Sequence, residues 1–427
     1  MAAPPAPPSL HRQFEAQVAR TPYAMAAEGA DTELNYEELN ARANQLARHL
    51  VKAGASRGEP VALLLPRSPE LLVGVLAVWK MGSPFVALDP INPPHRMAAM
   101  LRDAEANFLL SDSAVDVGLG EILEIVTAIN LDECADAVGA QDPANLTGDQ
   151  GLDEEGGQLA YIVYTSGSTG APKGIEVEHG HLAHYCEGIW AVMGLGAGDR
   201  FATVTSAAAD LGYTMLFPPL LNGGCVVLVP EKIVTDAVAL AEYFGRRPVD
   251  CLKIVPAHLR ALMGPGQSPA LLPRMLLVLG GETCLPELIR EIRNVSPALR
   301  ILNHYGPSET TVGVLAYEVP SNESFAASTV PLGFPIGGAC AYVLDGQRQP
   351  VPDGIHGEIF IGGPTVARGY LNRPDWTAEK FQADPWTLGE RLYRSGDRGR
   401  KLENGAIEFL GRADRQIKIR GFRVDLE

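Results

Sequence analysis

Two short apolar runs, PVALLLP at 60–66 and PFVALDP at 84–90, flank a helix-forming stretch from Pro69 to Met81, and this arrangement constrains the fold most. Strand, helix, strand is the pattern of two parallel strands joined by a crossover, because a short hairpin can join only antiparallel neighbours. The chain is therefore expected to be α/β. Just upstream, NYEELNARANQLARHLVKAG spaces Leu39, Ala43, Leu46 and Leu50 on one helical face, with Asn35 and Glu38 set as a capping box and Gly54 as a stop. A second strand-and-helix alternation spans roughly 200–315. From Pro331, the apolar runs CAYVLD, GEIFIGG and GAIEFLG recur between Gly, Pro and Asp turns, predicting a mostly β tail shaped as a small barrel. Residues 111–157, rich in Asp, Glu, Gly and Asn, read as an acidic, loop-rich connection.

Composition narrows the function classes. A chain of 427 residues that is 46% hydrophobic can bury a large core divided among more than one compact unit. Its formal charge of -16 repels nucleic-acid backbones and anionic lipid, so neither is an expected partner. No stretch has membrane-spanning length, and the opening MAAPPAPPSL, with neither a basic segment nor an apolar run, reads as a linker or chain end. The six cysteines form no CxxC or zinc-ligand pair and are expected as small buried residues in a reducing cytoplasm.

After the apolar strand YIVY comes TSGSTGAPKG at 165–174, which gathers hydroxyls, glycines and one lysine. Glycine lets backbone N–H groups approach phosphate oxygens closely, so the run suits a phosphate grip. A Walker loop is excluded, since Lys173 is followed by Gly174.

This run resembles the signature of the adenylate-forming superfamily. Further matches follow in the order such domains show: LNYEELNARANQLA, WKMGSPFVALDP, NHYGPSETT, GEIFIGGPTVARGYLNRPDWTAEKF, LYRSGDRGR and GRADRQIKIRGFRVDLE. The resemblance covers nearly the whole chain, and within the superfamily the chain looks like an adenylation domain of a nonribosomal peptide synthetase. It implies that a carboxylate attacks the α-phosphorus of ATP, releasing pyrophosphate, and that the acyl group then passes to the phosphopantetheine thiol of a carrier protein. Residue by residue, the resemblance sets Thr165, Ser166, Gly167, Ser168, Thr169 and Lys173 along the triphosphate. It sets Gly281, Glu282, Asn303 and Tyr305 around the adenine, with Gly306, Ser308 and Thr310 in the same run. Glu309 would hold Mg²⁺, Asp397 would accept from the ribose hydroxyls, Phe409 would lie beside the nucleoside, and Arg412 would reach its phosphate or ribose side.

In the same subfamily an aspartate holds the substrate α-ammonium, and alignment of SAAADLGYTMLFPPLLNGG puts Asp210 there. The other pocket positions fall on Leu211, Thr214, Lys253, Val278, Gly280, His304, Val312 and Gly313. An enclosed lysine opposite an apolar substrate would be costly, whereas a substrate carboxylate supplies charge and hydrogen bonds together, and the set resembles the pattern for aspartate. Strand periodicity leaves two orientations open for Lys253, into the pocket or out to solvent, and a shift of one residue would put Ile254 in its place. Where many relatives carry an aromatic residue before the ammonium-binding aspartate, this chain has Ala209.

The expected organisation is a linker or chain end at 1–10, a core at 11–412 and, at 413–427, a hinge with the start of a C-terminal subdomain. Within the core, 11–200 and 201–330 are expected as α/β subdomains and 331–412 as a β subdomain. The family's C-terminal subdomain carries a catalytic lysine whose motif this sequence lacks, so these residues are expected to bind nucleotide and aspartate but to form adenylate slowly. An acyl- or aryl-CoA ligase of the same superfamily, or a binding-only core, is the alternative. A small activator protein is a further partner that some members require.

Overall fold

The computed structural model of the chain describes residues 7–113, 120–147, 157–166, 172–264, 268–321, 328–413, 416–419 and 422–425. The helix Tyr36–Lys52 begins as its sequence requires: the Asn35 side chain accepts from the Glu38 N–H and the Glu38 carboxylate accepts from the Asn35 N–H. It ends at Gly54, whose φ of 102° an L-residue rarely adopts. Leu39, Ala43, Leu46 and Leu50 are fully buried along its inner face, and each leucine contributes about 1.5–3 kcal/mol by leaving water.

Two large sheets carry the molecule. The seven-stranded sheet runs Gly369–Tyr370, Pro172–Glu178, Leu159–Ser166, Phe85–Ala87, Val61–Leu64, Phe108–Ser111, Thr127–Asn130. Val61–Leu64 and Phe85–Ala87 pair in parallel around the helix Pro69–Lys80, as the sequence predicts. The nine-stranded sheet runs Phe334–Pro335, Leu315–Glu318, Arg300–Tyr305, Leu276–Gly280, Cys251–Ile254, Arg200–Thr203, Cys225–Leu228, Met25–Glu28, Glu33–Asn35. Since Met25–Glu28 pairs in parallel with Cys225–Leu228, the N-terminal strands belong to the second sheet and no single cut near residue 200 separates the two. Between the sheets lies an aromatic cluster in which Tyr213 meets Tyr161 edge-on, ring centroids 5.1 Å apart, and lies 5.9 Å from Phe85. This cluster anchors the turn that carries Asp210.

Three features differ from the sequence-based expectation. The β region after Pro331 is an open five-stranded antiparallel sheet, in which Arg391–Lys401 pairs with His356–Gly362, Phe381–Ala383 and Ile407–Arg412. Among the described residues no ladder closes it into a barrel. The 111–157 connection contributes the edge strand Thr127–Asn130, of which only Ile129 is buried, so its apolar signal is weak. At the N-terminus, Ser9 and Leu10 are buried and the Leu10 N–H donates to His179 Nδ1 at 3.3 Å, so packing begins inside the stretch read as a linker. The six cysteines are free, and four of them are buried. Among the described residues no helix is long and apolar enough to cross a membrane.

Candidate functional site

Sheet register decides where Lys253 points. Lys253 pairs with Val278, Val278 with Leu302, and Gly280 with His304, and side chains two apart on a strand share a face. Lys253, Val278, Gly280 and His304 therefore look the same way, toward the seven-stranded sheet, while Leu252, Ile254 and Leu279 fill the core on the other side. Lys253 is 1% exposed. Its Nζ donates to Thr214 Oγ1 at 2.7 Å and meets His304 Nδ1 at 3.0 Å. Burial lowers the lysine pKa to about 7, with Asp210 and Cys251 opposing the fall. Burial, and then the lysine charge, lower the His304 pKa well below its usual range and keep the ring neutral; opposite a charged Lys253, Nδ1 accepts and Nε2 carries the proton. That buried Nε2 has no hydrogen-bond partner.

Asp210 opens the 3₁₀ turn Asp210–Met215 and is 7% exposed. Ser308 Oγ donates to its Oδ1 at 3.0 Å, while Oδ2 is buried without a partner. Burial raises the Asp210 pKa, against the Ser308 hydrogen bond and the charge of Lys253, and Glu309 raises it further. Ser308 belongs to the turn 306–313, which packs beside Asp210. Thr311 and Val312 both have left-handed φ, 61° and 64°, which costs a few kcal/mol in residues with a Cβ and marks a conformation held by its surroundings. The holding contacts are Thr311 Oγ1 to the Thr365 carbonyl at 2.7 Å and the Ala367 N–H to the Glu309 carbonyl at 3.0 Å. Glycine is needed twice here. A Cβ on Gly313 would lie 2.1 Å from His304 Cε1, and one on Gly306 would lie 2.3 Å from the Gly313 Cα. Leu211 stands within 3.5 Å of a Cβ on Gly280, and Val312 is buried.

Asn303 and Tyr305 alternate with His304 and so face the opposite way. The Tyr305 hydroxyl donates to Asp397 Oδ2, and Arg412 donates to Asp397 Oδ1 at 2.7 Å, which joins three of the expected nucleotide residues in one buried group. Phe409 packs beside Tyr305 in the same apolar cluster. Both donors of the Asn303 amide are directed at backbone, to Val330 at 3.3 Å and Pro331 at 2.8 Å. Glu282, after Gly281 at φ 87°, accepts from the Ala257 N–H at 3.2 Å and ties the strand end to the helix Pro256–Met263. Glu309 is buried and its Oε1 accepts from the Tyr370 hydroxyl at 2.8 Å, while Thr310 donates to the Pro307 carbonyl.

The described ends of the hydroxyl-rich run lie on two paired antiparallel strands, with Thr165 opposite Lys173 and Ser166 opposite Pro172. Lys173 Nζ sits 4.4 Å from the centroid of the Trp376 ring. Gly167, Ser168 and Thr169 lie outside the described residues. The sequence reading missed Tyr185 and Tyr370. Tyr370 is within a quoted motif, but nothing local shows that its hydroxyl reaches Glu309, 61 residues away.

Comparison with known proteins identifies the family and the fold. A family model described as AMP-binding enzyme matches residues 14–371. Surfactin synthase subunit 2 of Bacillus subtilis is 35% identical over 416 residues, covering 96% of this chain but only 11% of its own length. The chain thus spans a small part of the curated relatives it matches. Among solved structures, NpsA-ThdA, an artificially fused adenylation-PCP di-domain nonribosomal peptide synthetase from Klebsiella oxytoca, superimposes with a TM-score of 0.88 at 25% identity, covering 98% of this chain and 81% of that one. The nonribosomal peptide synthetase FmoA3 in its α-methyl-L-serine-AMP bound form gives a TM-score of 0.86 at 29% identity, covering 96% and 45%. The chain belongs to the AMP-binding enzymes, and within them it is of the nonribosomal peptide synthetase adenylation type.

Proposed function

We propose that this chain joins L-aspartate to AMP at the expense of ATP, releasing pyrophosphate, and presents the aspartyl group to a carrier-protein phosphopantetheine thiol. The observation that carries the reading is that Asp210 and Lys253 are both buried and near enough to influence each other's charge, each pushed by burial toward its neutral form. A buried charge is tolerated when it is paired, and aspartate brings both missing partners. Its ammonium answers Asp210, whose Oδ2 is open, and its β-carboxylate answers Lys253 and the His304 Nε2–H. An apolar substrate would leave the lysine unanswered. An acyl- or aryl-CoA ligase would leave Asp210 unanswered.

The same residues then orient the reaction. With ammonium and β-carboxylate fixed at the two ends of the pocket, the α-carboxylate is the free nucleophile, and holding it in line with the α-phosphorus removes much of the entropic barrier. Tyr305, Asp397, Phe409 and Arg412 are the proposed nucleoside residues, and the run 165–173 the proposed triphosphate grip. Among the described residues no cluster of three or more metal-ligating side chains exists, so a Mg²⁺ ion would be held by Glu309 together with phosphates and water, a donor set that suits it, and would neutralise phosphate charge. Glu309→Gln is accordingly expected to weaken magnesium-dependent ATP binding by roughly tenfold and to spare AMP. Calorimetry with both nucleotides reads this out, and equal losses would remove the metal role.

Selectivity and its pH dependence test the aspartate reading together. Above pH 7 the empty pocket holds a neutral Lys253, so binding aspartate must take up a proton. Affinity for aspartate is expected to fall by up to about tenfold per pH unit above 7, whereas asparagine, with no side-chain charge to match, should respond little. Calorimetry with the standard amino acids at pH 6.5 and 8.5 measures both. Tighter binding of leucine or phenylalanine than of aspartate would overturn the assignment.

A further inference from the structure

We propose that Tyr185 is a positioning residue of the acid-selective pocket, which holds the Lys253 ammonium in place through the hydroxyl of Thr214. The inference rests on the aspartate reading above and concerns a residue that no pocket motif includes. Tyr185 lies on the helix His179–Met193, which follows a strand of the other sheet, and is fully buried. Its hydroxyl meets Thr214 Oγ1 at 2.5 Å, and its ring centroid stands 5.9 Å from that of His304. One residue thus touches both groups that hold Lys253.

Proton accounting shows what the contact does. A threonine hydroxyl has one proton and two lone pairs. The Thr214 proton is directed to the Leu211 carbonyl at 3.4 Å, and Lys253 occupies one lone pair as a donor. Tyr185 donates to the other and completes the set, so Thr214 has no reason to rotate. The ammonium then has two of its three donors placed, on Thr214 and His304, and the third is left for the substrate. The helix itself is fixed by a close backbone approach three residues on: a Cβ on Gly188 would fall 2.3 Å from the Gly337 nitrogen. A tyrosine set this rigidly transmits position to Thr214.

The test is a double-mutant cycle on the 427-residue chain, with Tyr185→Phe, Thr214→Val and the pair, reading dissociation constants for aspartate and asparagine by calorimetry. Tyr185→Phe is expected to weaken aspartate about tenfold and asparagine less than about twofold, the loss of one hydrogen bond to a charged array. If Tyr185 acts through Thr214, the double variant binds aspartate no more weakly than Thr214→Val alone. Equal loss for both amino acids, or additive losses in the pair, would overturn the proposal. Should the unmodified chain prefer an amino acid other than aspartate, the aspartate reading fails by itself, and a crystal structure of Tyr185→Phe decides the positioning claim. A rotated Thr214 with a displaced Lys253 upholds it, and an unchanged pair sinks it.

Discussion

Replacing Lys253 by methionine is expected to weaken L-aspartate binding by about 30- to 4000-fold while changing asparagine only a few-fold, the range for removing one member of a buried hydrogen-bonded charge pair. Stability should move the other way. In the unfolded chain the lysine stays protonated up to its ordinary pKa near 10.5, but in the fold burial depresses it to about 7. A depressed lysine destabilises the fold below pH 10.5, with the full penalty reached below pH 7, and methionine removes that penalty. The lost contacts to Thr214 and His304 offset part of the gain, so unfolding at pH 6 should show stability that holds or rises. This opposition of function and stability is characteristic of a charge kept for a ligand. Asparagine affinity falling as far as that of aspartate, or a large loss of stability, would contradict it.

Asp397→Ala should produce the largest combined defect at the nucleotide end. The carboxylate accepts from the Tyr305 hydroxyl and from Arg412, whose side chain is 17% exposed, and truncation leaves both donors without it. Removing one partner of a fully buried charged pair costs about 3–5 kcal/mol, an upper bound here because Arg412 is partly exposed, and urea unfolding would register the loss. ATP and AMP should weaken alike, by roughly tenfold or more, since both carry the ribose that this group is proposed to hold. Asp397→Asn, which retains one acceptor and the shape, should fall between. Retained AMP affinity in the alanine variant would place the ribose elsewhere.

How much of this was legible beforehand follows from how local each cause is. The capping box of Asn35 and Glu38, the stop at Gly54 and the parallel pair around Pro69–Lys80 depend on neighbours within a turn or one crossover, and they stand where the sequence put them. The open sheet after Pro331 was read as a barrel because strand signals give spacing and not closure, which depends on whether the first and last strands meet. The edge strand Thr127–Asn130 escaped notice because an edge buries too few residues to leave an alternation.

At the site the division is sharper. The sequence alone determined the family resemblance and the identities of Asp210, Lys253 and His304, because motif order and residue type are written along the chain. It left the direction of Lys253 open, since a strand offers two faces and a slip of one residue exchanges them. Only the tertiary structure decided that, through the pairing of Lys253 with Val278 and of Gly280 with His304, which sets the lysine beside Thr214. It alone brought in Tyr185, 29 residues before Thr214 and on a helix that follows a strand of the other sheet. A hydrogen bond of that kind depends on how two layers dock, and docking is settled by packing the whole core at once.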